Sequence, residues 1–112
     1  MERQLYWACE DGKVEEVIKL LQNEQININW QNQNYYLKTP FYIACEKGHI
    51  EVVKLLVNNN RIDINKADEN GETPFLIACY HEKTGVVKYL LECGREIDYL
   101  QLFCFSPRAF YL

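Results

Sequence analysis

The residue types that carry out chemistry are few in this chain, and their spacing does not suit catalysis. Ser106 is the only serine, and it precedes Pro107. That is a helix-entry context, without the adjacent base that activates a serine nucleophile. Of the two histidines, His49 follows Gly48 in a turn and His81 follows Tyr80 on a short helical segment. No Cys-x-x-Cys, His-Glu-x-x-His, phosphate-binding loop or dinucleotide fingerprint occurs. Asp and Glu total 16, but the pattern puts none of them in an apolar pocket that would shift its pKa for acid–base work. The reading is of a protein without catalytic residues, cofactor or metal.

The five cysteines include Cys9, Cys45 and Cys79, whose spacing points to structure. They recur at 36 and 34 residues, so they occupy one position of a repeated unit. Packed helices lie roughly 8–10 Å apart, and a disulfide needs Cα atoms within roughly 7 Å. These cysteines therefore read as small core residues.

The elements that hold these positions follow from the stretch Thr39 to Leu56. Thr39 suits a helix N-cap and Pro40 the first helical position. Phe41, Ala44 and Cys45 share one helical face, Gly48-His49 interrupts the helix, and Ile50, Val53, Leu56 and Val57 define a second one. Shifted by 34 residues, Thr39-Pro40-Phe41 meets Thr73-Pro74-Phe75, Ile43-Ala44-Cys45 meets Ile77-Ala78-Cys79, and Val52-Val53-Lys54 meets Val86-Val87-Lys88. Shifted back by 36, Ala44-Cys45-Glu46 meets Ala8-Cys9-Glu10 and Gly48 meets Gly12. Arg3-Gln4 stands in the first Thr-Pro slot, and Ser106-Pro107 opens a fourth copy. A period near 33 with a helix pair in each unit predicts a stacked array.

These residues resemble the ankyrin repeat family. The signature stands as Thr39-Pro40-Phe41-Tyr42-Ile43-Ala44 and again as Thr73-Pro74-Phe75-Leu76-Ile77-Ala78, with Gly48-His49, Asp63-Ile64-Asn65 and Asp68-Glu69-Asn70-Gly71 in support. The resemblance implies an all-α solenoid of helix-turn-helix units with short projecting β-hairpin loops. One domain is expected over 1–112, with repeats at about 1–29, 30–65 and 66–98 and a partial fourth at 99–112.

Two loops depart from the regular repeat. Asn29 to Thr39 is two residues longer than Asn65 to Thr73, and Leu37 takes the slot of the turn glycine Gly71. This predicts a projecting loop carrying Trp30, Tyr35 and Tyr36. In the third unit Glu82-Lys83 replaces Gly-His, and Gly85 is expected to serve the turn instead. From Asp98 to Leu112 the chain is strongly apolar. Three readings remain open there: a tail folded over the last repeat, an array cut short, or a hydrophobic docking site.

The resemblance implies binding of a protein partner through hairpin tips and the concave face of the first helices. By register, this face carries Glu10, Asp11, Gln33, Tyr35, Tyr36, Lys38, Glu46, Lys47, Ala67, Glu69, Asn70, Glu72, Tyr80 and His81. Tyr35, Tyr36 and Tyr80 are the expected anchors, because tyrosine contributes large area with few rotamers to freeze. The face carries five carboxylates against two lysines, which favours a neutral or basic partner. The expected function is a non-catalytic protein–protein interaction module. The alternative is a structural segment of a longer scaffold, or a truncated product without independent function. The resemblance also implies that Asn29 and Asn65 could be β-hydroxylated; the plainer reading is that they hydrogen-bond the loop backbone.

A net charge of −4 with interspersed signs disfavours a nucleic-acid surface. The first residues are polar and no apolar run reaches spanning length, so neither a leader nor a membrane span is expected. No small-molecule substrate is expected. The cytoplasm, with the nucleus also compatible, is the expected compartment.

Overall fold

Among the described residues six helices follow from the pattern: α1 (Glu2–Asp11), α2 (Val14–Leu21), α3 (Pro40–Lys47), α4 (Ile50–Val57), α5 (Pro74–Tyr80) and α6 (Thr84–Glu92). The structure, a computed structural model, describes residues 1–97. The apolar segment from Asp98 to Leu112, including Ser106 and the expected partial fourth repeat, lies outside the described residues.

Each helix starts and stops for a local reason. Thr39 Oγ1 accepts from the Tyr42 amide at 3.0 Å, and Thr73 Oγ1 from the Leu76 amide at 3.2 Å. Pro40 and Pro74 open α3 and α5 at positions that need no amide donor. Gly48 closes α3 in the left-handed region at φ 76°. Gly12 closes α1 at φ 70°, and a Cβ there would lie 2.7 Å from Nδ1 of His49. The glycine is required both by its backbone angle and by the next repeat's imidazole. That imidazole has its own partner: Nε2 of His49 donates to the Glu10 carbonyl at 2.7 Å.

The third turn differs from the expectation. Gly85 lies within the first turn of α6, and Glu82 takes the left-handed conformation at φ 58°. Glu82 is exposed, and the fold bears the backbone cost of a non-glycine residue in that conformation.

The helices form two layers. α1, α3 and α5 pack in one row, α2, α4 and α6 in the other, and each helix pair closes as an antiparallel hairpin. Leu5, Ala8 and Cys9, then Phe41, Ala44 and Cys45, then Phe75, Ala78 and Cys79 are all buried in the first row. The second row buries Val17, Val53, Leu56, Val87 and Leu90. Burial of each large aliphatic side chain stabilises by roughly 1.5–3 kcal/mol.

Polar staples lock the register of the stack. Arg61 donates from Nη1 to the Glu24 and Ile26 carbonyls at 2.7 and 3.0 Å. Arg95, 34 residues on, donates to the Val57 and Ile62 carbonyls, both at 3.0 Å. Asn29 donates from Nδ2 to the Arg61 carbonyl at 2.9 Å and accepts from the Asp63 amide at 2.8 Å. Asn65 donates to the Glu96 carbonyl at 2.8 Å. Both amides thus join one loop to the next.

The loops are not β-hairpins in the strict sense. Among the described residues no strand forms, and Asn32 and Lys38 make a single antiparallel bridge. The reason lies in Asn32, which is 4% exposed. Its carbonyl accepts from the Tyr35 and Leu37 amides and its Oδ1 from the Asn34 amide, so these donors are lost to a ladder.

Removing the Thr39 hydroxyl by Thr39→Ala should cost about 1 kcal/mol, and Gly48→Ala, which puts a side chain at positive φ, about 1–2 kcal/mol. Glu82→Gly should raise stability by a few tenths of a kcal/mol or more. Urea unfolding followed by circular dichroism would order the three variants, and Glu82→Gly coming out destabilised would contradict this account of the third turn.

Candidate functional site

The long loop between α2 and α3 is tied down by its own turns and by hydrogen bonds to the next loop. Tyr36 and Leu37 both adopt the left-handed conformation, at φ 59° and 61°, which compresses the two extra residues into a tight reversal. The Tyr36 carbonyl accepts from the Glu69 amide at 2.9 Å. Gln31 Nε2 donates to the Leu37 and Ala67 carbonyls at 3.2 and 3.3 Å. Successive loop tips are therefore zipped together. In the loop between α4 and α5 Asp68 does the work of Asn32, its register equivalent: Oδ1 accepts from the Asn70 and Glu72 amides at 2.9 and 3.0 Å.

Tyr35 is turned onto α1. Its ring lies 6.2 Å from Tyr6 at an interplanar angle of 29°, and 5.3 Å from Trp7 at 88°. Tyr6 is buried and also meets Trp30 edge-on at 6.3 Å. Trp30 is half-buried and packed against the core, which corrects its expected place in a projecting loop: it anchors the base of the loop, while Tyr35 and Tyr36 remain exposed.

A continuous line of contacts runs on from there. The Lys38 ammonium lies 5.7 Å from the Tyr36 ring and 5.5 Å from the Tyr42 ring, and pairs with Glu46 Oε1 at 3.0 Å. Glu46 Oε2 lies 3.5 Å from Nε2 of His81, whose ring meets Tyr80 edge-on at 5.1 Å. Of the residues expected at the site, the structure brings together Tyr36, Lys38, Glu46, Tyr80 and His81. Lys47 is exposed beside Glu46 on α3, and Glu69 and Asn70 are exposed at the tip of the loop between α4 and α5. Asn29 and Asn65 lie away from this line, in the staples between loops.

Burial and charge tune several groups. Desolvation pushes up the Tyr42 phenol, and its hydrogen bond to Asp68 at 2.9 Å adds to the effect. Desolvation first, then the charges of Glu10 and Glu46, raise the Tyr6 phenol. Burial lifts the Cys9 thiol to about 12, the Cys79 thiol to about 11 and the Cys45 thiol well above its ordinary value; all three are free thiols. Glu72 departs from the expectation that no carboxylate is perturbed, for partial burial and the neighbouring Asp68 raise its pKa. Among the described residues no group of His, Cys, Asp and Glu is placed to hold a metal ion. No described helix is long and apolar enough to cross a membrane.

Tyr6, Trp7 and Tyr42 were not singled out by the sequence. Trp7 stands where the other units have Ile43 and Ile77, and that substitution was the available signal. Tyr42 stands where the family signature has histidine, and its hydroxyl reaches the next loop.

The family model for ankyrin repeats matches residues 5–101 in three copies, and the chain belongs to that family. Ankyrin repeats mediate protein–protein interaction, and the family is generally non-enzymatic. The fold is also found in a solved complex of a predatory endopeptidase from Bdellovibrio bacteriovorus with an immunity protein. A chain of that complex superposes with a TM-score of 0.73 at 26% identity, over 83% of this chain and 47% of its own length. This chain thus spans about half the length of the chain it matches. No curated protein matches.

Because the folded state raises the Glu72 pKa, its ionised form is disfavoured on folding. Its protonated form therefore favours the fold, and that advantage is lost as pH rises through the folded-state pKa. Glu72→Gln should raise the unfolding midpoint at pH 7, and the gain should shrink toward zero below the ordinary value of 4.5. Thermal melts of both proteins across pH 3.5 to 7, an interval bracketing that titration, would detect this.

Proposed function

We propose that this chain is a non-catalytic module that binds a protein partner across the loop tips and the ends of the first helices. The observation that carries the reading is the unbroken line from Trp7 and Tyr35 through Tyr36, Lys38, Glu46 and His81 to Tyr80. Along it, four aromatic rings are each more than a third exposed: Trp7 at 37%, Tyr35 at 45%, Tyr36 at 58% and Tyr80 at 44%. Exposed aromatics held in place by backbone and side-chain contacts have little freedom left to lose on binding. Glu46, Lys47, Glu69, Asn70 and Glu72 form the polar surround. Support also comes from the family and from the related chain, which is part of a complex of two proteins.

Tyr35 packs on α1, so its removal would disturb the loop as well as the surface. Tyr36 and Tyr80 make the cleaner test. Tyr36→Ala combined with Tyr80→Ala should leave the circular dichroism spectrum unchanged and lower affinity for a captured partner by roughly thirtyfold, the effect of losing a hot spot of about 2 kcal/mol. Lys88→Ala, on the second-helix layer, should have no effect. Retained affinity in the double variant would move the binding surface elsewhere.

A further inference from the structure

Resting on that reading, we infer that the corner between Trp7 and Tyr35, with Glu10 beside it, receives an arginine side chain presented by a basic segment of the partner.

The second repeat already contains such a cradle, and it is filled from within. There the Lys38 ammonium lies against Tyr36 and Tyr42, at 5.7 and 5.5 Å, and pairs with Glu46 at 3.0 Å. Thirty-six residues earlier the same scaffold recurs: Tyr6 takes the place of Tyr42, and Glu10 that of Glu46. The residue in the lysine's place is Glu2, an acid. Its carboxylate is turned away, accepting from the Asn27 amide at 2.9 Å. The first repeat therefore keeps the aromatic and acidic parts and lacks the cation. Among the described residues no lysine or arginine lies over Tyr6, Trp7 or Tyr35, and Glu10 makes no ion pair.

The first repeat also has more aromatic surface than the second. Trp7 and Tyr35 meet at 88° with ring centroids 5.3 Å apart, and both are open to solvent. Trp7 and Glu10 are one helical turn apart on α1, so the ring and the carboxylate share a face. Tryptophan is the strongest cation–π acceptor among the side chains. Near-perpendicular aromatic surfaces beside a carboxylate suit a planar guanidinium, which can stack on one ring while donating a forked pair of hydrogen bonds. After desolvation, the nearby charge of Glu10 is the next largest cause that raises the Tyr6 phenol, in keeping with a carboxylate close to these rings.

The test is a titration of the intact chain with acetyl-Gly-Gly-Arg-Gly-Gly-amide, followed by NMR. The chain has two tryptophans, so the indole N–H signal of Trp7 can be read beside that of Trp30. The Trp7 signal should shift and saturate. Replacing the arginine of the peptide by citrulline, its neutral isostere, should weaken binding roughly tenfold, and replacing it by lysine about threefold. Glu10→Gln should weaken binding about threefold or more, and Trp7→Leu, followed through the backbone amide signals of Glu10 and Tyr35, should abolish saturable binding. Equal affinity for the citrulline or lysine peptide overturns the assignment, as do shifts spread over other acidic residues with Trp7 unmoved. If the arginine peptide fails while Tyr36→Ala with Tyr80→Ala still abolishes partner capture, only this inference falls; if capture also survives that double variant, the proposed face falls with it.

Discussion

The close stacking of the first helices governs the rest of the molecule. Ala8-Cys9, Ala44-Cys45 and Ala78-Cys79 form a stripe of small buried side chains along α1, α3 and α5. Small residues there let successive helices approach, and the larger Leu5, Phe41 and Phe75 fill the space above and below. Because the period is set by this contact, every other inter-repeat feature falls into register with it. The His49 imidazole sits over Gly12, Arg61 and Arg95 reach back to carbonyls of the preceding repeat, and the Glu69 amide bonds the Tyr36 carbonyl at the neighbouring loop tip. A repeat lengthened by two residues is accommodated in its loop, where positive φ at Tyr36 and Leu37 takes up the excess without shifting the helices.

The same stacking converts a linear pattern into a surface. Residues about one repeat apart become neighbours, so Glu46, which pairs with Lys38 of its own repeat, also meets His81 of the next. The pair at 3.0 Å is partly buried, with side chains 19% and 17% exposed. An ion pair of this kind adds little to stability by itself, and its larger effect is to hold the Lys38 side chain between two aromatic rings. Charge, aromatic faces and backbone are thus held together within the chain itself, the preorganisation on which the proposed binding face relies.

Two repeats use similar residues in different ways. Tyr42 and Tyr6 occupy one register position, and burial pushes up the pKa of both phenols. Tyr42 spends its hydroxyl on Asp68 and lends its ring to Lys38. Tyr6 stacks on Tyr35 and supports the exposed Trp7. The conserved geometry of the array thus carries a local difference in chemistry, and the difference lies in the aromatic residues that depart from the repeat pattern.

Much of the fold was legible in the residues alone. Thr-Pro entry signals, the Ala-Cys stripe and the 34- and 36-residue spacings specify helix pairs and their stacking, because capping and side-chain periodicity are local and the period forces like units together. Exposure of Tyr35, Tyr36 and Tyr80 was legible for the same reason. The sequence did not show that Glu82 would replace glycine, that Trp30 would turn inward, or that Asn32 would absorb the donors of a β ladder. Nor did it show the partners of Tyr6, Trp7 and Glu46, or the raised pKa of Glu72. These depend on distances between residues far apart in the chain and on partial burial, which exist only once the repeats have stacked. The sequence determined the unit and its repetition; the tertiary structure decided which aromatic and charged side chains meet, because loop length and the packing of one repeat on the next set those distances.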